Sequence, residues 1–177
     1  MRRIVSYEAH KEHNEPMKGC VEGCFDPRFQ HGLSVVCQTE LGVNLTEVDL
    51  VSIGGGTSRN ADSKNAELRD DPLDQAVASV KLHRVPQVLL TSHEDCGALG
   101  GSARFGSEAA ELAWHKAFLE ERKRKLETLL AAVLSDWREN GVSAGGKLIS
   151  AEDVRKTYPE KVIVKTAFLR FDGAYEL

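Results

Sequence analysis

Apolar residues recur along this chain in two alternating patterns: short unbroken runs, and spacings that keep one face of a helix apolar. Lys18 to Cys24 reads as a first short strand. Pro27 then suits the first turn of a helix, where a missing N–H costs nothing. Phe29, Leu33, Val36, Cys37 and Leu41 continue at helical spacing up to Gly42. Val48 to Ile53 predicts a second strand, ended by Gly54-Gly55-Gly56-Thr57. A helix is expected from Asp71 or Pro72 to His83, with Leu73, Ala76, Val77, Val80 and Leu82 as its apolar residues. Pro86 to Thr91 predicts a third strand, and its Val88-Leu89-Leu90 run is of the kind found in sheets covered on both faces.

From Ser107 to Asn140 the spacing is helical, with Leu112, His115, Leu119, Leu126, Leu130, Val133 and Trp137 on one face. The charge run Glu120 to Lys125 reads as a solvated surface of that helix. Ser150 followed by Glu152 and Asp153 predicts a helix start with acidic residues in its first turn. Val162 to Phe171 is a strong strand pattern, and Asp172-Gly173 is a hairpin dipeptide before the last residues. Strands alternating with helices imply an α/β fold. The expected architecture is a central, mostly parallel sheet of about four parallel strands plus a C-terminal antiparallel edge strand, flanked by helices.

At 177 residues, a single domain with a substantial core is expected. Residues 1–17 carry His10, Lys11, Glu12, His13, Asn14 and Glu15 and read as a polar arm, leaving 18–177 as a single α/β domain. The formal charge of −4, without a basic stripe, argues against nucleic acid as a partner. No apolar stretch approaches the roughly 20 residues of a membrane span, and no signal-peptide core follows Met1, so a cytoplasmic protein without membrane attachment is the expectation.

Cys24-Phe25-Asp26-Pro27-Arg28 follows the first predicted strand, and His93-Glu94-Asp95-Cys96-Gly97 follows the third. Ligands in open α/β sheets bind beyond the carboxyl ends of strands, where strand order reverses. Cys24, His93 and Cys96 would meet there. Two thiolates and one imidazole form a zinc set with a fourth position for water or substrate, which marks a catalytic site. His93 and Cys96 reach one ion if the chain turns into a helix at Glu94-Asp95, and Gly97, Gly100 and Gly101 would let the backbone pass close to the metal. The triple glycine at 54–56 lacks a phosphate-loop pattern, and reads as a place of close backbone approach to the zinc site or to a partner subunit. Cys20 would stand about 13 Å from Cys24 along a strand, too far to share the ion. Cys37 reads as a buried small hydrophobe. Asp26 and Arg28, set beside the first ligand, suit the surroundings of a metal-bound water.

Cys-x-Asp-x-Arg followed by His-x-x-Cys-Gly resembles the signature of the β-class carbonic anhydrases, and the chain looks like a short member of that family from about Lys18 onward. The resemblance implies one zinc ion (Zn2+) per chain on Cys24, His93 and Cys96, and reversible hydration of carbon dioxide to bicarbonate by zinc-bound hydroxide. It also implies that Asp26 and Arg28 act as a catalytic dyad, the aspartate accepting a hydrogen bond at the metal and the arginine holding it off the ion. In the family a neighbouring subunit completes the pocket, so a homodimer or larger homo-oligomer is expected, with a small molecule as substrate. Two positions depart from the pattern. Pro27 stands where the family usually has serine, and Gly54-Gly55-Gly56 where it usually has Arg-Asn-Ala-Gly. Alternative readings on the same scaffold are hydrolysis of carbonyl sulfide or carbon disulfide, or a non-catalytic zinc module with Asp26 in the fourth position. A thiol-redox module lacks its Cys-x-x-Cys.

Overall fold

In the computed structural model, which describes residues 16–59 and 61–176, five strands form one sheet. These are β1 (Cys20–Gly23), β2 (Asp49–Ser52), β3 (Gln87–His93), β6 (Ile163–Arg170) and β7 (Gly173–Glu176), in the order β2-β1-β3-β6-β7. The first four pair in parallel and β7 returns antiparallel from its hairpin with β6. The expected architecture of four parallel strands with an antiparallel C-terminal edge is therefore present. The predicted arm, with His10 and His13, lies outside the described residues except for its last two positions.

Four helices flank the sheet: α1 (Gln30–Val36), α2 (Ala66–His83), α3 (Glu108–Asn140) and α4 (Ala151–Thr157). One core packs Val21 and Leu89 of the sheet against Leu33, Val36 and Cys37, so Cys37 is the buried hydrophobe its spacing predicts. The other joins Cys20, Val88, Leu90 and Val164 to Leu73, Val80, Leu119, Leu126 and Leu130. Each fully buried leucine of this kind contributes roughly 1.5–3 kcal/mol of burial free energy. Alternation along β3, Val88 and Leu90 to one side and Leu89 to the other, is what a doubly covered strand requires.

Local expectations needed correction in three places: the start of α2, the exposure of Arg122 and a second hairpin, whereas α3 has its expected span. Helix α2 begins at Ala66, before Pro72, which lies inside it rather than at its start. Proline removes one donor to the preceding turn without forbidding a helix that tertiary packing supports. Helix α3 runs unbroken for 33 residues, from Ser107, whose Oγ accepts from the Ala110 N–H, to the turn at Gly141. Within its charge run Arg122 is buried, stacked over the Phe118 ring at 4.9 Å, because it falls on the same face as His115, Leu119 and Leu126. A small hairpin of β4 (Val142–Ala144) and β5 (Lys147–Ile149) was not foreseen, each strand having only three residues to show alternation.

Strand order turns at β1, with β2 on one side and β3 on the other. The carboxyl ends of β1 and β3 thus lie side by side, and the two cysteine motifs leave the sheet together.

Candidate metal centre

Cys24 follows β1, His93 is the last residue of β3, and Cys96 lies three residues on. The fold buries all three and brings one donor atom from each within 4.8 Å of the others. Ligand atoms on a tetrahedral zinc stand about 3.5–3.8 Å apart, so the set is close to closing on an ion. Cys20 and Cys37 are buried in the two cores and take no part.

The loop between His93 and Cys96 is not helical as expected. Asp95 adopts a left-handed conformation at φ 52°, one that aspartate tolerates better than most residues, and the next helical turn starts only at Gly97. This reversal returns Cys96 toward His93. Of the glycines beyond it, Gly97 lines the cavity beside Cys24 and Cys96, and Gly100 and Gly101 serve turns at φ 90° and 72°. The triple glycine does approach closely. A Cβ on Gly56 would stand 2.8 Å from the Cys24 nitrogen, and the Gly55 N–H donates to the Cys24 sulfur at 3.3 Å.

His93 stacks on Phe29 at 4.4 Å between ring centroids, and its Nδ1 lies 2.8 Å from the Glu94 carbonyl. Donation to that carbonyl places the proton on Nδ1 and leaves Nε2 with its lone pair. Nε2 is buried and makes no hydrogen bond of normal geometry. A buried imidazole nitrogen with a free lone pair, beside two thiols, is the donor set that zinc takes, and the residues fit the ion. The charges agree. A hydrogen bond from Cys96 most of all, then contacts with His93 and the Asp26 and Gly55 amides, hold the Cys24 thiol well below its ordinary range against the opposing effect of burial. The same contact with Cys24, together with burial, pushes Cys96 up. Burial pulls His93 down, but the nearby Cys24 sulfur and the Glu94 carbonyl outweigh it and the net shift is upward.

Asp26 lies at the rim, locked to Arg28. Its Oδ1 accepts from the Arg28 backbone N–H and from Nε, each at 3.0 Å, and its Oδ2 accepts from Nη2 at 2.7 Å. Those bonds bring its pKa to about 2. Pro27 starts the helical turn that Asp26 caps, so the residue in the usual serine position serves local geometry. Asp95 is the partner that sequence reasoning left without a role. Its carboxylate accepts from Arg28 Nη1 at 2.9 Å and its carbonyl from Nη2 at 3.0 Å. Glu94 is another: its carboxylate accepts from Arg170 at 3.2 Å and from the Phe171 N–H, tying the loop to the β6–β7 hairpin. An open cavity of about 410 Å³ borders the cysteines, lined by Phe25, Asp26, Pro27, Gly54, Gly97 and Ala98.

No family model matches the chain, and no curated protein matches it in sequence. Among solved structures, a carbonic anhydrase from Streptococcus mutans is 18% identical over 96% of this chain and 87% of its own, with a TM-score of 0.43. A β-carbonic anhydrase from Trichomonas vaginalis is 14% identical over the same shares, with a TM-score of 0.42. A carbon disulfide hydrolase is 12% identical over 92% of this chain and 79% of its own, with a TM-score of 0.40. Likenesses this distant assign no activity. The chemistry rests on the site.

Proposed function

We propose that this protein is a zinc enzyme that interconverts carbon dioxide and bicarbonate. The observation that carries the reading is the buried Cys24–His93–Cys96 donor set, with His93 Nε2 left free, directly beside a carboxylate locked by Arg28. Cys24, Cys96 and His93 Nε2 would hold the ion. Zinc there would supply hydroxide near neutral pH by acidifying a water. Asp26 would accept the hydrogen bond that orients this nucleophile, and its low pKa keeps it an acceptor throughout the neutral range. Arg28, bonded to Asp26 and Asp95 together, would keep that carboxylate off the ion. Asp26 is outside the group of mutually close donor atoms, which favours an open fourth position over a closed, non-catalytic one. Phe25, Pro27 and Ala98 give the cavity an apolar wall that suits a small uncharged substrate.

A homodimer belongs to the same proposal. Among the described residues, α1 and the turns on either side of it cover that side of the sheet, and Val35, Leu50, Ile163 and Phe171 remain exposed, apolar positions that a second copy would cover. Stopped-flow hydration of carbon dioxide, with zinc measured on the same sample, tests the function. The expected result is one zinc per chain and turnover that rises with pH. Full zinc content with no hydration between about pH 6 and 9 would overturn it and bring forward the sulfur analogues as substrates.

A further inference from the structure

We infer that Glu111, on helix α3, is a positioning residue for the metal centre: its carboxylate sets the backbone of Asp95, and through it both Cys96 and Arg28. The inference rests on the metal reading above. Glu111 is 2% exposed on a helix face whose other buried positions are mostly apolar. A carboxylate in such a place is costly unless its oxygens are hydrogen-bonded. Both are. Oε1 accepts from the Asp95 N–H at 2.8 Å, and Oε2 accepts from the Ser102 hydroxyl at 2.7 Å.

Ser102 in turn donates its N–H to Asp95 Oδ1 at 3.1 Å. Glu111, Asp95 and Ser102 therefore form a closed ring of three hydrogen bonds, two of them to Glu111. The ring encloses the one residue of the loop between His93 and Cys96 that is left-handed, at φ 52°. The other face of Asp95 grips Arg28, which grips Asp26. His115, one turn on, has Nε2 4.0 Å from Glu111 Oε1, too far for a direct bond. Glu111 thus fixes, from outside the motif, where Cys96 returns to the ion and where the arginine clamp is anchored. A 33-residue helix packed on β3 and β6 is a rigid mount for that task.

The test compares wild type with Glu111→Ala, Glu111→Gln and Leu126→Val. Zinc affinity is measured by competition with a chromophoric chelator, and the thiolate-to-metal bands of the cobalt(II)-substituted protein report ligand geometry. Glu111→Ala should weaken zinc binding about 10- to 100-fold and shift the cobalt spectrum. Glu111→Gln keeps one acceptor oxygen and should fall between it and wild type; it decides the matter alone if the alanine variant does not fold. Leu126→Val trims a buried side chain of the same helix, and should lower Tm while leaving affinity and spectrum unchanged. Wild-type affinity and spectrum in both Glu111 variants would overturn the inference, as would an equal loss in Leu126→Val. A wild-type protein that takes up neither zinc nor cobalt would instead overturn the metal reading itself, and this inference with it.

Discussion

Cys20 opens strand β1 and Cys24 follows its last residue, so one short strand carries a cysteine at each end, in opposite surroundings. At the amino end, Cys20 is fully buried among Leu73, Ala76, Val80 and Val88. Burial most of all, then the charge of Glu22, pushes its thiol well above the ordinary value. The polar groups nearby satisfy one another: Ser79 donates to Asp49, and His83 Nδ1 lies 2.8 Å from the same carboxylate. At the carboxyl end, Cys24 meets a second thiol and an imidazole, and its own thiol is held well below the ordinary range. There the buried His93 Nε2 makes no hydrogen bond of normal geometry. Both ends of β1 combine cysteine, histidine and aspartate. Only the carboxyl end aims several soft donors at one point, because parallel strands send their outgoing loops to the same side of the sheet.

The sharpest way to break this contrast is to remove the donors one at a time. Cys24→Ser or Cys96→Ser should take zinc from one per chain to almost none, while Cys20→Ser and Cys37→Ser retain it. Elemental analysis of purified protein decides, and full metal in Cys96→Ser would erase the distinction between the two ends. Next in size is the effect of the clamp. Asp26→Asn and Arg28→Ala should lower carbon dioxide hydration at least about tenfold, the low end of what a group beside a metal's ligands contributes, with zinc content unchanged. A loss of zinc in parallel with turnover would show that the pair serves retention of the metal instead.

Acid unfolding gives a smaller effect with a defined sign. Asp26 is held at about 2, below its ordinary 3.8, so its pairing with Arg28 stabilises the fold fully above pH 3.8. That contribution is lost as pH falls toward 2. Urea midpoints measured between about pH 5 and 2 should fall more steeply in wild type than in Asp26→Asn, and parallel curves would contradict the assignment. Smallest is the change at the amino end. Ser79→Ala removes one donor from Asp49, which keeps His83, and should cost about 1 kcal/mol in chemical denaturation without touching zinc or turnover.

The alternation of strand and helix, the antiparallel edge and the two cysteine motifs at strand ends were all legible in the residues, since each depends on local period and on residue type. Cys24, His93 and Cys96 could be named because soft donors have few other reasons to cluster after strands. Tertiary structure alone decided which charges are buried. Arg122 falls in a charge run that reads as solvated and Glu111 carries no signal of its own, yet packing of α3 buries both, one over Phe118 and the other against Asp95. The left-handed turn at Asp95 was equally hidden, because aspartate permits that conformation without requiring it, and its bonds come from residues 67 positions before it and 7 and 16 after it in the chain. Sequence determines which groups are present and which way each strand sends them; contacts between distant segments determine which of those groups are held still, since a hydrogen bond across the fold exists only once both of its elements have packed.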